Sequence, residues 1–114
     1  MSYDLAVWDG EQPRGDEASA VFDELYERYL DSDDEIAELS SRIVAYVEAL
    51  VERYPDDVAS SPWASPPVMG EASGPIVYLL MSYSRAEEVS EYAAALAREH
   101  GLVCYDPPGE TLRV

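Results

Sequence analysis

Hydrophobic positions along the chain change period several times. Residues 2–8, Ser-Tyr-Asp-Leu-Ala-Val-Trp, are rich in strand formers and stop at Asp9-Gly10, a turn pair. They predict a first strand. Pro13 and Gly15 then break the chain, and from Asp16 or Glu17 the period becomes helical. Val21, Phe22, Leu25, Tyr26 and Tyr29 recur at three- and four-residue steps, with Asp23, Glu24, Glu27 and Arg28 on the other side. That spacing predicts an amphipathic helix of about 14 residues. Asp31-Ser32-Asp33-Asp34 interrupts the stripe and supplies caps for a second, longer helix over about 34–53. Ile36, Leu39, Ile43, Val47, Leu50 and Val51 form its apolar stripe, and Pro55 ends it.

Residues 55–75 are rich in Pro, Ser and Gly, a stretch too long for a structureless loop within a domain. An irregular edge strand around Trp63–Met69, where Pro is tolerated, and a hairpin turn over Gly70–Gly74 are expected. Ile76–Ser82 is apolar on both faces and predicts a central, buried strand. Ser84 and Glu87 have the spacing of a capping box and open a third helix, with Val89, Tyr92, Ala93, Leu96 and Ala97 inward. His100-Gly101 stops it, because Gly suits the left-handed cap and a cation suits a helix C-terminus. Leu102–Tyr105 reads as a last short strand, and Thr111–Val114 as a short extra strand or a tail.

Strands and helices mix without strict alternation, so the fold class is α+β. Counting the first two helices as one crossover gives βααββαβ, the ferredoxin-like split unit. The expected build is a four-stranded, mainly antiparallel sheet with helices on one face. A length of 114 residues, 47% of them hydrophobic, fits one domain over 1–114 with a real core. The opening Met-Ser-Tyr-Asp-Leu-Ala-Val-Trp-Asp-Gly and the closing Arg-Ala-Glu-Glu-Val-Ser and Glu-His-Gly-Leu-Val-Cys-Tyr-Asp-Pro resemble a group of small, acidic, uncharacterised proteins of actinobacteria. The shared motifs are structural, and the resemblance implies no activity.

Charge changes the picture more than composition does. The chain carries 24 acids against 7 bases, a net charge of −17. Direct binding to nucleic acid or to an anionic membrane surface is excluded on that ground. All seven cations are Arg, and Lys and Asn are absent, as GC-rich coding would give. The charge is lopsided: residues 1–57 have a net charge of −13 and residues 58–114 one of −4. The first residues lack a basic start and a long apolar run, so no leader and a cytoplasmic location are expected. A single cysteine suits a reducing compartment.

Candidate chemistry is sparse. Cys104 sits in an apolar strand and reads as core, and His100 reads as a helix-end cation. One Cys and one His cannot close a zinc site. Asp31-x-Asp33-x-Glu35 mimics the start of a calcium loop but has Ile36 and Arg42 where the loop needs Gly and Glu. No metal, cofactor or catalytic residue is expected. The informative feature is acid left uncompensated at four-residue spacing, as in Asp23–Glu27, Glu48–Glu52 and Glu87–Glu91. Rows of carboxylates at that spacing approach the phosphate repeat of a nucleic-acid strand and can enter the basic groove of another protein. Asp23, Glu27, Asp31, Asp33, Asp34, Glu38, Glu48 and Glu52 are therefore expected to form one negative face. Its partner would be basic, such as a toxin or nucleic-acid-binding protein held by an inhibitor of the immunity type. The alternative is a small enzyme or ligand-binding domain. Its pocket, between the sheet and the 55–75 segment, would be lined by Trp63, Tyr78, Tyr83 and Tyr105.

Overall fold

The computed structural model describes residues 2–10, 12–14, 17–30, 38–56, 61–64, 68–107, 109 and 111–113. Five strands form one sheet: β1 (Ser2–Trp8), β2 (Ala72–Ser73), β3 (Ile76–Ser82), β4 (Val103–Asp106) and β5 (Thr111–Leu112). Their order is β2-β3-β1-β4-β5, and each pairing is antiparallel. β1 and β3 form the centre, in register from Ser2 opposite Ser82 to Trp8 opposite Ile76. Three helices join them. α1 (Ala18–Leu25) runs on into a π-helical turn (Tyr26–Leu30), and α2 (Ser41–Arg53) and α3 (Ala86–Glu99) follow. The class is α+β. The antiparallel sheet is as expected, and β5 is the short extra strand that Thr111–Val114 allowed; with it the element order is βααββαββ, not the ferredoxin-like βααββαβ.

Side chains of a strand point alternately to its two faces, and β1 sorts its residues between two cores accordingly. Leu5 and Val7 join Val77, Leu79, Met81 and Cys104 beneath α2 and α3. Ala6 and Trp8 join Ile76, Val103 and Tyr105 on the other face, where Val21, Phe22, Leu25 and Tyr29 of α1 and its π-helical turn cover them. Helices therefore flank the sheet on both sides, which corrects the one-faced arrangement. The cause is the two-sided hydrophobicity of β1 and β3. Leaving Trp8, Ile76 and Tyr105 in water would forfeit about 1.5–3 kcal/mol for each large side chain.

Local differences have local causes. α2 starts at Ser41, later than the acidic run suggests, and that run, Asp31–Asp34, lies outside the described residues. Ser40 precedes the helix with the extended backbone of an N-cap residue (φ −58°, ψ 138°), and it makes no side-chain cap bond because its hydroxyl is engaged elsewhere. Its hydroxyl donates to Asp9 Oδ2 at 2.6 Å and its N–H to the Gly74 carbonyl at 2.9 Å. These bonds tie the start of α2 to the end of β1 and the turn before β3. The capping box at Ser84 does not form. Tyr83–Arg85 make a 3-10 turn instead, the Ala86 N–H donates to the Tyr83 carbonyl, and α3 begins at Ala86 without a side-chain cap. At its other end α3 stops as the sequence predicts. Gly101 has φ +71°, and the Leu102 N–H reaches back to the Ala97 carbonyl at 2.8 Å.

The outer border of β3 is occupied by two separate stretches. Trp63 bridges Met81, with the Ala64 N–H donating to the Leu80 carbonyl and the Ser82 N–H to the Pro62 carbonyl. Further along, Ala72 and Ser73 pair with Val77 and Ile76 across a turn at Gly74, whose φ is +54°. A 3-10 turn (Val68–Glu71) precedes β2. Of the expected strand over Trp63–Met69, the described residues show a bridge at Trp63 and a 3-10 turn from Val68, residues 65–67 lie outside the described residues, and the turn falls at 74–75 rather than over Gly70–Gly74. Trp63 is drawn inward because its indole N–H donates to the Tyr54 carbonyl at 2.8 Å.

Candidate functional site

The first helix builds the most chemically distinctive surface. Its inner side is held by Ala18, fully buried, and by Ser19, whose Oγ lies 2.6 Å from the Tyr105 hydroxyl. Phe22 follows four positions after Ala18 and packs against Tyr105, ring centroids 5.3 Å apart. One further turn brings Tyr26, at the start of the π-helical turn, to the margin of the buried stripe, where it is 37% exposed. Phe22, Tyr26 and Tyr78 then form a triangle of rings. Their centroids lie 5.8 Å (Phe22–Tyr26), 6.0 Å (Phe22–Tyr78) and 5.7 Å (Tyr26–Tyr78) apart. Tyr26 and Tyr78 meet nearly edge to face, at 71°, a favoured arrangement for aromatic pairs.

These rings line an open cleft of about 340 Å³, together with Asp23 and Glu27. The two acids stand four apart on α1 and its continuation, so they share one side of the helix. Both are exposed, and neither belongs to any of the three ion pairs among the described residues, Arg42–Asp9, Arg85–Glu88 and Arg113–Asp106. A further carboxylate lies behind the rings. The Tyr78 hydroxyl donates to Asp4 Oδ2 at 2.9 Å. Burial first, and this bond second, push the Tyr78 hydroxyl well above the ordinary tyrosine value, so the phenol stays protonated and its ring orientation is pinned.

Of the acids expected to form one face, only part is brought together. Asp23 and Glu27 share the cleft. Glu48 and Glu52 are exposed on α2, across the sheet from α1, and Glu38 is exposed ahead of α2. Asp31, Asp33 and Asp34 lie outside the described residues. The aromatic set expected to line one pocket is divided as well. Trp63 is buried with the α2/α3 core, Tyr78 and Tyr105 belong to the α1 side, and Tyr83 is 64% exposed at the end of β3. Tyr78 therefore ends beside Asp23 and Glu27, so the cleft merges one member of the aromatic set with two of the acidic set. The helical spacing places Phe22 and Tyr26 in the core stripe alone. The available signal was Tyr26 itself, a ring with a polar tip at the edge of that stripe, one residue before Glu27 and three after Asp23.

Cys104 is buried, and burial pushes its thiol up to about 12, which leaves it protonated and unreactive. His100 ends α3 with its ring edge-on to Tyr46, centroids 5.9 Å apart. A second cleft, near 370 Å³, is lined by Tyr3, Tyr83, Glu87, Ser90, Glu91 and Arg113 among others. Its one cation is already engaged, since Arg113 lies 3.9 Å from Asp106 and 3.3 Å from the Tyr3 hydroxyl, which itself donates to Asp106. Among the described residues no group of three or more His, Cys, Asp and Glu could hold a metal ion. No helix among them is long and apolar enough to cross a membrane. No family model matches the chain, and no curated protein or solved structure matches it significantly.

Proposed function

We propose that the protein is a binding domain that docks a basic protein through the exposed side of α1, in the manner of an inhibitor or immunity partner. The observation that supports this is the cleft rimmed by Asp23 and Glu27, two exposed carboxylates in no ion pair among the described residues, beside accessible aromatic surface. Like charges four apart on a helix cost about 0.2–0.5 kcal/mol per pair, and a cationic partner would relieve that repulsion. The net charge of −17 would steer a basic partner at long range, while the rings supply apolar contact at close range. Glu48 and Glu52, on the far side of the sheet, contribute to steering and not to contact.

The test compares affinity capture from the native host by the wild type, by Asp23→Arg/Glu27→Arg and by Glu48→Arg/Glu52→Arg. A basic protein retained by the wild type and the α2 variant, and lost by the α1 variant, is the expected result. Its association rate should fall between low and physiological salt, as the Debye length shrinks to about 8 Å. Equal recovery by both variants, or loss only with the α2 variant, refutes docking on α1.

A further inference from the structure

We propose that the cleft lined by Phe22, Asp23, Tyr26, Glu27 and Tyr78 is a subsite for one arginine side chain of the partner. This rests on the docking reading above and gives it a chemical address. Aromatic rings attract a cation held within about 6 Å of a ring centroid, and Phe22, Tyr26 and Tyr78 all line the cleft. Asp23 and Glu27, which line the same cleft, add two carboxylates that can accept from the N–H groups of one guanidinium. Among the described residues no cation lines the cleft. Arg28, the next residue along the turn, places its guanidinium over Tyr29 instead, 5.7 Å from that ring's centroid. A volume of about 340 Å³ lies at the small end of ligand sites, which suits a side-chain head better than an extended ligand.

The chemistry separates arginine from other occupants. An anion would meet Asp23 and Glu27 at the entrance. A purely apolar group would desolvate those carboxylates without replacing their hydrogen bonds, which is costly. A lysine ammonium is compact and strongly hydrated, so it uses the carboxylates but little of the aromatic surface. A guanidinium is planar and weakly hydrated, so it can stack on a ring and donate in its own plane at once. Tyr78 is prepared for this role, because its bond to Asp4 holds the ring in place before any ligand arrives.

The probes are oligoarginine, oligolysine and oligocitrulline of equal length, titrated into the folded protein at low salt. Affinity is read by calorimetry, and the site by the ring-proton resonances of Phe22, Tyr26 and Tyr78. Oligoarginine should bind about tenfold more tightly than oligolysine and shift all three rings, while oligocitrulline should not bind. Tyr26→Ala should bring the arginine-to-lysine ratio to about one with oligolysine affinity unchanged. Asp23→Asn/Glu27→Gln, at exposed positions that leave the fold alone, should weaken both peptides and arginine more. Equal binding of the arginine and lysine peptides without ring shifts overturns the arginine subsite and leaves docking by charge standing. Failure of every cationic peptide to bind the wild type overturns both.

Discussion

Replacing Trp63 by Phe tests how the 61–64 segment is held against the core. Trp63 is 5% exposed, and its indole N–H donates to the Tyr54 carbonyl at 2.8 Å. That carbonyl belongs to the residue capping α2, where helix geometry leaves no intrahelical donor. Trp63→Phe therefore leaves a buried acceptor without its donor, which costs about 1–3 kcal/mol. The smaller ring also leaves a gap worth about 1 kcal/mol. The expected loss is about 3 kcal/mol, or roughly 12 °C in Tm for a chain of this size. Tyr46→Phe is the matched control. Tyr46 is fully buried and its hydroxyl donates to the Ala93 carbonyl at 2.8 Å, but Ala93 lies inside α3 and keeps its helical donor. That change should cost only about 1 kcal/mol. Urea unfolding followed by far-ultraviolet circular dichroism reads both without relying on indole fluorescence. Equal costs for the two substitutions, or a Trp63→Phe loss below about 1 kcal/mol, would refute the reasoning.

The Cys104 thiol, pushed up to about 12 from an ordinary 9.0, should resist labelling at pH 8 in the native state and react once urea unfolds the chain. Cys104 and Tyr46 both hold their protons in the fold at pH values where the unfolded chain has released them, so the stability they contribute below about pH 9 drains away as pH rises toward 12. Tyr46→Phe should flatten part of that alkaline fall in a urea series run across pH. Gly101→Ala should destabilise by about 1–2 kcal/mol in the same assay, because φ +71° disfavours a Cβ and the new methyl would sit 3.4 Å from Arg42 Nη1. Amides of Val77–Leu80, in the strand bordered on both sides, should be among the slowest in hydrogen exchange; fast exchange there would contradict the central placement of β3.

The elements that were legible in the sequence are those whose signal is local. Ile76–Ser82 announces a buried strand through its composition, and Gly101 stops α3 because the left-handed cap needs no information from elsewhere. Layer assignment was less visible, although its signal was present. Leu5, Ala6, Val7 and Trp8 are consecutive and all at most 1% exposed, and a strand with apolar residues on both faces requires cover on both. Ser84 and Glu87 misled because the chain enters α3 through a 3-10 turn, in which the Ala86 N–H donates to the Tyr83 carbonyl, so Ser84 lies within that turn and not at a helix cap. In the candidate site, the pairing of Asp23 with Glu27 follows from helix spacing alone. The arrival of Tyr78 beside them does not, since it depends on α1 crossing the face of the sheet opposite α2.

The divided outer border of β3 also bears on self-association. A continuous strand there would offer another molecule a row of unpaired N–H and C=O groups, and Ile-Val-Tyr-Leu-Leu-Met has the β-propensity and lack of charge found in fibril-forming segments. Instead, the border is taken up by the short stretch around Trp63, which begins with Pro62, and by the two residues of β2. β5 at the opposite margin is just as short. Among the described residues, neither margin gives a second chain enough consecutive positions to extend the sheet. A mutation that detached Pro62–Ala64 would open one flank of β3 and turn a loss of stability into a tendency to polymerise.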